Sequence, residues 1–560
     1  MISVSRFSKF AFLLGMVTTV IACDRSAEPD LIVHNATVLT VDANQPEAQA
    51  FAVRDGVFSH IGNDQETLAL AGPSTKIVDA DGRTIVPGFN DAHLHALAIP
   101  PGTVNLGEAE TVAAVVALLK ERAQAADPGA WVLGYGYDDT AIGRHLTASD
   151  LDLVSTDQPV LALHASMHLF AGNSHAFNTA EVGSETVNPE GAKFYRDDEG
   201  APTGLISERP ALEMLFVDEQ PSFFPHDLTS AVAGLDAFFD IAHSNGITSY
   251  GDALVPPELA FAYWWADPAD AGIRVNLMFD GDDLETATTV KNLNDALSWI
   301  GLNLFDTPWL RAKTIKLFHG HSLSGRTTRL VEPYADRPNY YGEEPQRTQD
   351  ELNTIVSEIH DEGFQAAIHA NGDFEVDMVV KAIQQAVISG PREHRHRIEH
   401  ASVTNDDILA RVAALDIVIA PHSYIFEKGP MIEAYGEGRW PHMFANASIL
   451  EHGISNAANS DFPVSPLNPL LRIQSLVTRT SRFGKTYGAS QQLSVEQALH
   501  AYTMGGAIAT FEEANKGSIT PDKYADFVIL SQDPRIIPPL ELRNISVDAT
   551  YVAGVLRFER

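Results

Sequence analysis

Residues 85–95, IVPGFNDAHLH, close a short apolar run with two histidines at positions i and i+2. Alternate side chains of a β-strand share a face, so His93 and His95 point the same way. Imidazole nitrogen is a common ligand for zinc and its neighbours, and a pair offered at a strand's end suits a divalent transition metal. Taken alone, the pair fits packed or surface histidines equally well. Its weight comes from what recurs further along the chain.

From this stretch onward, short buried strands alternate with helical segments, which predicts a parallel sheet. Strands are expected at ITSYG (247–251), IRVNLMF (273–279), TIKLF (314–318), QAAIHA (365–370), HRIEHA (396–401), IVIAPH (417–422) and ISNAANSD (454–461). With the His93 strand these make eight, separated by amphipathic helices such as 350–362 and 374–388. An α/β fold of the (β/α)8, TIM-like barrel type is the economical closure. A helix near 111–126, the segments WVLGYGYDD and PVLALHASMHLFAGN, and the turn-rich DDEGAPTG do not fit that count. They read as an insertion over about 98–225 after the first strand, on the face where barrel enzymes keep their sites, shaping a substrate pocket.

The ends of the chain have a different character. LIVHNATVLTVD, AFAVRDGVFSHIG and KIVDADGRTIV are β-prone runs, with Asp55-Gly56 and Asp81-Gly82 as hairpin signals. KGSITPDKYADFVILSQDP and ISVDATYVAGVLRFER match them at the other end, with Ala553-Gly554 in a turn. Residues 24–86 and 514–560 are therefore expected to meet in a composite β-sandwich beside a barrel domain of residues 87–513.

The chain holds 74 Asp and Glu against 38 Lys and Arg, a net charge of −36 with histidines neutral. That balance argues against a nucleic-acid or anionic-lipid surface and for a heavily hydrated one. The first 23 residues stand apart, with Arg6 and Lys9 ahead of an apolar run at 10–22. The run is about 13 residues, short of the roughly 20 a membrane span needs, and reads as an export signal. It ends Val20-Ile21-Ala22-Cys23, which resembles a bacterial lipobox, where the cysteine is lipidated and becomes the mature N-terminus. The expectation is an exported protein, lipid-anchored at Cys23 to a bacterial membrane on its periplasmic or cell-surface side. A plain signal peptide with an incidental cysteine is the alternative. Cys23 is the only cysteine, so the body of the protein has no intramolecular disulfide, thiol nucleophile or thiolate ligand.

Besides His93 and His95, four strands carry a group able to bind a metal or a proton: Lys316 in TIKLF, His369 in QAAIHANGD, His400 in HRIEHAS and Asp461 in SNAANSDFPV. The C-terminal ends of parallel barrel strands converge on one mouth, so these side chains would face a common point. A histidine of this kind can equally be a hydrogen-bonded core residue, and an aspartate after Asn459-Ser460 can cap a turn. Lys316 fits a structural role least well, because an unpaired ammonium among Ile315, Leu317 and Phe318 is costly to bury. A lysine whose pKa is lowered by burial can react with carbon dioxide, giving a carbamate anion that two metal ions can share.

The order H-x-H, Lys, His, His, Asp on successive strands, flanked by a split β-sandwich, resembles the amidohydrolase superfamily of metal-dependent hydrolases. IVPGFNDAHLH, TIKLFHGHSLSGRT, IHANGD, RIEHAS, NSDFPV and AYTMGGAIATFEEANKGSITPDKYADFVIL resemble the branch of N-substituted formamide deformylases and YtcJ-like proteins, over nearly everything after Pro29. The resemblance implies one metal on His93 and His95, a second on His369 and His400, a carboxylated Lys316 bridging them, and Asp461 holding the nucleophilic water and moving its proton. One or two zinc ions per chain are the implied cofactor. The chain departs from the pattern after the lysine, where Phe318-His319-Gly320-His321 replaces the usual Asp-Gly, so the roles of His319 and His321 stay open.

A metal lowers the pKa of water from about 15.7 to near 7 and polarises a carbonyl, and two metals about 3.5–4 Å apart can hold both oxygens. The expected reaction is hydrolysis of a non-peptide C–N bond in a small amide, formamide or related N-acyl compound. Ester, lactone or phosphoester cleavage at the same site, or a binding lipoprotein without turnover, are the alternatives. Tyr135, His168, Glu208, Asp252 and His422 lie on the insertion or near strand ends and are substrate-contact candidates, with packing or surface roles equally open. The expected partner is a small-molecule substrate, with self-association as a homodimer left open.

Overall fold

The computed structural model describes residues 28–96, 102–107, 109–189, 192–216 and 228–560. The segment expected to be an export signal, with Cys23, lies outside them. Among the described residues no helix is long and apolar enough to cross a membrane.

Seven parallel strands form the central sheet: β1 (Phe89–Leu94), β2 (Ile247–Val255), β3 (Arg274–Asp280), β4 (Leu310–Phe318), β5 (Gln365–Ala370), β6 (Arg397–His400) and β7 (Val418–Pro421), hydrogen-bonded in that order. Nearly every residue in them is buried, as expected of strands covered on both faces. Helices such as Gln349–Asp361 and Asp373–Ser389 pack outside, the first opened by a capping box of Thr348 and Glu351.

The strand expected at 454–461 is not a ladder strand. Its single parallel bridge pairs Asn456 with Ile419, yet it joins both edges of the sheet. On the β7 side Ile419 N–H donates to Ser455 O (3.2 Å) and Ala457 N–H to Ile419 O (2.9 Å). On the β1 side Ala92 N–H donates to Ala458 O (3.2 Å) and Asp461 N–H to His93 O (2.9 Å). Side-chain bonds replace the ladder: Asn459 Nδ2 donates to Pro421 O (3.2 Å), and Asp91 accepts Ser460 N–H (3.0 Å). The backbone turns left-handed at Asp461 (φ 52°), a conformation that aspartate tolerates better than most residues. The sheet thereby closes as an α/β barrel.

The segment between β1 and β2 builds a sheet of its own, where the sequence indicates only separate pieces. Six strands, including Val132–Tyr137, Val160–His164, Leu169–Gly172 and Pro202–Ser207, pair in one layer. Alternation divides them into two cores: Leu161, Leu163 and Phe170 pack on one side, Val160, Ala162 and Ala171 on the other with Leu119 of the helix Val112–Ala125.

Strands from both chain ends share another six-stranded sheet, in which Phe527–Leu530 runs antiparallel to Thr84–Pro87. A four-stranded sheet of Leu31–His34, Ala50–Arg54, Val57–Gly62 and Lys76–Asp79 packs on it through Phe51, Phe58, Ile85 and Phe527. Asp55-Gly56 and Ala553-Gly554 are hairpin turns with positive φ at both residues. Asp81-Gly82 has the same backbone but makes no hairpin: Lys76–Asp79 and Thr84–Pro87 belong to different sheets, and the turn carries the chain from one to the other.

Candidate metal centre

The histidine pair is oriented by what lies behind it. His93 Nδ1 is hydrogen-bonded to the fully buried carboxylate of Glu399, which Arg397 grips through Nε (2.7 Å) and Nη2 (2.8 Å). His95 Nδ1 lies 2.9 Å from the carbonyl oxygen of Ala253. Each imidazole donates its Nδ1 hydrogen to an acceptor, so each turns an Nε2 lone pair inward. These Nε2 atoms stand 3.5 Å and 3.3 Å from Asp461 Oδ1, and that of His93 is buried with no hydrogen-bond partner. Lone pairs facing a carboxylate repel unless a cation lies between them, so the three donors fit a divalent metal.

A second group shares Asp461. His422 Nε2 is 3.6 Å from Asp461 Oδ2, and its ring stacks on His400 with centroids 3.9 Å apart. His400 Nδ1 is buried without a partner, and the residue holds a left-handed φ of 78°, strain of the kind found at functional sites. His93, His95 and Asp461 make one set of convergent donors, and His400, His422 and Asp461 another. His369 is close by, its ring centroid 4.6 Å from that of His400, with Nε2 3.2 Å from the carbonyl oxygen of His321.

Electrostatics suit ligation. Burial, aided by the Lys316 charge, holds His93 and His369 well below the usual histidine range; burial and His422 do the same for His400. Ligands must be deprotonated, and these rings are. Burial by itself raises Asp461, but the imidazoles of His95, His93 and His422 around it outweigh that and hold the carboxyl below its usual range, ionised. Burial brings Lys316 down to about 8, against the pull of Glu399 and Asp461. Its Nζ sits 4.3 Å from the ring centroid of Phe318.

A pocket of about 410 Å³ joins these groups: His93, His95, Lys316, His369, His400 and Asp461 all line it, with His168 and His422. His168 bonds Glu208 at 3.0 Å; burial lowers its pKa, but the Glu208 charge more than offsets this and raises it. Glu208, Tyr135 and Asp252 do not reach the pocket wall. Tyr135 packs against the insertion core. Asp252 accepts Ala96 N–H (3.2 Å) and the Tyr263 hydroxyl, bracing the chain just after His95, with burial raising it to about 6. His319 is buried behind the wall with neither ring nitrogen bonded, and His321 contributes its carbonyl, which accepts from Asn371 Nδ2 at 2.9 Å.

Several residues escaped the sequence reading. Glu399 and Arg397 orient His93, and their signal was an Arg-x-Glu pair on one face of an otherwise buried strand. Asp91 shares the period-two face of His93, and burial raises it to about 7. Glu375 ties the loop after β4 to β5 by accepting Arg329 N–H (2.7 Å), His321 N–H (3.1 Å) and Asn371 N–H (2.9 Å). A third group of donors, Asp139, His145 and His164, lies in the insertion.

The sequence profile of the amidohydrolase family matches residues 76–558. The chain is 28% identical over 552 residues to YtcJ of Bacillus subtilis (strain 168), covering 94% of this chain and 99% of that one. It is 28% identical over 550 residues to an N-substituted formamide deformylase of Arthrobacter pascens, covering 95% and 98%. In fold it matches an uncharacterized metal-dependent hydrolase from Pyrococcus horikoshii OT3, with a TM-score of 0.70 at 23% identity over 91% of this chain and 99% of that one. A barrel whose mouth gathers buried histidines around one aspartate agrees with the profile match, and the chain belongs to the amidohydrolase family of hydrolases.

Proposed function

We propose that this hydrolase cleaves a non-peptide C–N bond, in a formamide or related small N-acyl compound, with one or two zinc ions in the pocket. The observation that carries the reading is the pair of Nε2 lone pairs turned onto Asp461 by Glu399 and the Ala253 carbonyl. Zinc supplies there an activated water and a polarised substrate carbonyl. Asp461 takes the proton at a carboxylate oxygen and gives it to the departing nitrogen, which leaves poorly unless protonated. Lys316, brought toward neutrality by burial, is the residue suited to carboxylation. The formamide deformylase relative supports the substrate class.

The two sheets of the chain ends read as one composite β-sandwich of 24–86 and 514–560 around a barrel domain of 87–513, a reading supported by their common apolar core. Export and a lipid anchor on Cys23 complete the proposal, supported by the lipobox-like ending of the apolar run.

The test is Asp461→Asn on zinc-loaded enzyme, assayed with matched N-formyl amides and esters. The amide rate should fall by roughly 10²–10⁴-fold, the usual worth of a positioned acid–base group, and the ester rate by less. Amide turnover near the wild-type rate would exclude Asp461 as the proton carrier.

A further inference from the structure

We propose that Asp139, His164 and Ser166 form a hydrogen-bonded relay that makes the Ser166 hydroxyl a nucleophile on the wall of the metal pocket, able to accept an acyl or phosphonyl group from an activated ester. His164 ends the insertion strand Val160–His164 and is buried. Its Nε2 lies 3.0 Å from Asp139 Oδ1, and its Nδ1 lies 2.8 Å from Ser166 Oγ. Ser166 N–H also points at Nδ1, at 3.0 Å. A backbone N–H can only donate, so Nδ1 is the acceptor and the ring hydrogen sits on Nε2, given to Asp139. In this tautomer the imidazole is a base aimed at the serine hydroxyl. That hydrogen occupies the nitrogen that His164 would offer to a metal, so His164 serves this relay and not a metal site in the insertion.

Ser166 completes the geometry. It lies in the turn between Val160–His164 and Leu169–Gly172, just before Met167 at a left-handed φ of 62°. It lines the metal pocket beside His168, Lys316 and Asp461. Its Oγ accepts His168 N–H at 3.3 Å. Burial keeps His164 neutral and so able to take a proton. For Asp139 burial opposes ionisation, but the hydrogen bond from His164, with nearby His145 and Lys428, brings it to about 2. A carboxylate orienting an imidazole against a hydroxyl is the arrangement that activates serine in unrelated folds, recognised by geometry and not by chain order.

The step balances without an added reactant. Ser166 Oγ bonds to the acyl carbon as the bond from that carbon to the leaving oxygen breaks. The hydroxyl proton passes to His164 Nδ1 and then to the leaving alkoxide. Water splits the acyl-serine, releasing the carboxylic acid and restoring Ser166. No metal takes part, so this activity stands or falls separately from C–N cleavage.

A fluorophosphonate probe tests it, because attack by Oγ forms an O–P bond and expels fluoride with the proton. Full-length protein is treated with the probe after chelation and again after zinc is restored, then read by intact mass and peptide mapping. One adduct per chain is expected on Ser166 in both states, absent from Ser166→Ala. Asp139→Asn, a change at a partly exposed side chain, should label about 10²-fold more slowly while keeping the zinc content and circular dichroism of the parent. No adduct on the wild-type protein, an adduct that survives Ser166→Ala, or equal labelling rates for Asp139→Asn and wild type would overturn the relay.

Discussion

Glu399 sets the tautomer of His93, and through it the direction of the lone pair that meets the metal. Partners of this kind raise ligand basicity and fix ring orientation, and losing one usually costs 10–100-fold in metal affinity. Glu399→Gln keeps the shape but removes the charge, so zinc affinity measured by chelator competition should drop by roughly 10–100-fold. Unchanged affinity would mean that the ring is oriented by something else. Lys316 carries a prediction in pH. Its pKa falls from 10.5 when unfolded to about 8 when folded. Between those values the unfolded chain binds more protons, so stability rises with pH over that window. Thermal melting of the chelated protein from about pH 7 to 11 should show this rise, and Lys316→Met should lack it. Equal pH dependence in both proteins would show that Lys316 is not the buried cation responsible.

At the scale of elements, the segment 455–461 closes the barrel and delivers Asp461, yet it has little ladder of its own. It is held from below by the π-helical turn Ala501–Gly505. Ala458 N–H donates to Ala501 O (3.1 Å), and a Cβ on Gly505 would sit 2.0 Å from the Asn456 carbonyl oxygen. Neither backbone can yield without moving Asp461. Gly505→Ala should therefore cost about 1–3 kcal/mol, the usual range for overpacking, in denaturant unfolding. Zinc binding should weaken with it; a variant with parental stability and affinity would show that the closure is softer than its contacts imply. The insertion contrasts with this segment. Its sheet has cores on both faces, so it can hold the turn with Ser166 and His168 over the pocket as a firm wall.

For the molecule as a whole, the pairing of Phe527–Leu530 with Thr84–Pro87 ties the end of the chain to the strand that leads directly into β1. The H-x-H strand is thus anchored through a strand far along the chain. A net charge of −36 keeps the surface heavily hydrated and gives it no attraction to an anionic membrane. On the proposal that Cys23 carries the lipid, Cys23→Ala in a bacterial host should abolish lipid labelling and move the protein from the membrane to the soluble fraction, with the hydrolase activity intact. A mutant that still fractionates with membranes would count against that anchor.

Periodicity along the chain was enough to indicate the parallel strands of the barrel, the shared face of His93 and His95, and the strands carrying Lys316, His369 and His400, because each follows from local alternation; the eighth strand it predicts at 454–461 is instead an irregular segment held in part by side-chain bonds. It could not tell that Asp81-Gly82 passes between sheets, since a turn's backbone is the same whichever strands it joins. Nor could it show that His422 and not His369 stacks on His400, that Glu399 stands behind His93, or that Asp139 meets His164 beside the pocket. Those outcomes depend on which side chains from distant segments share a few ångströms. Strand twist, the closing segment 455–461 and the packing of the insertion decide that in three dimensions, and none of them leaves a periodic trace in the sequence.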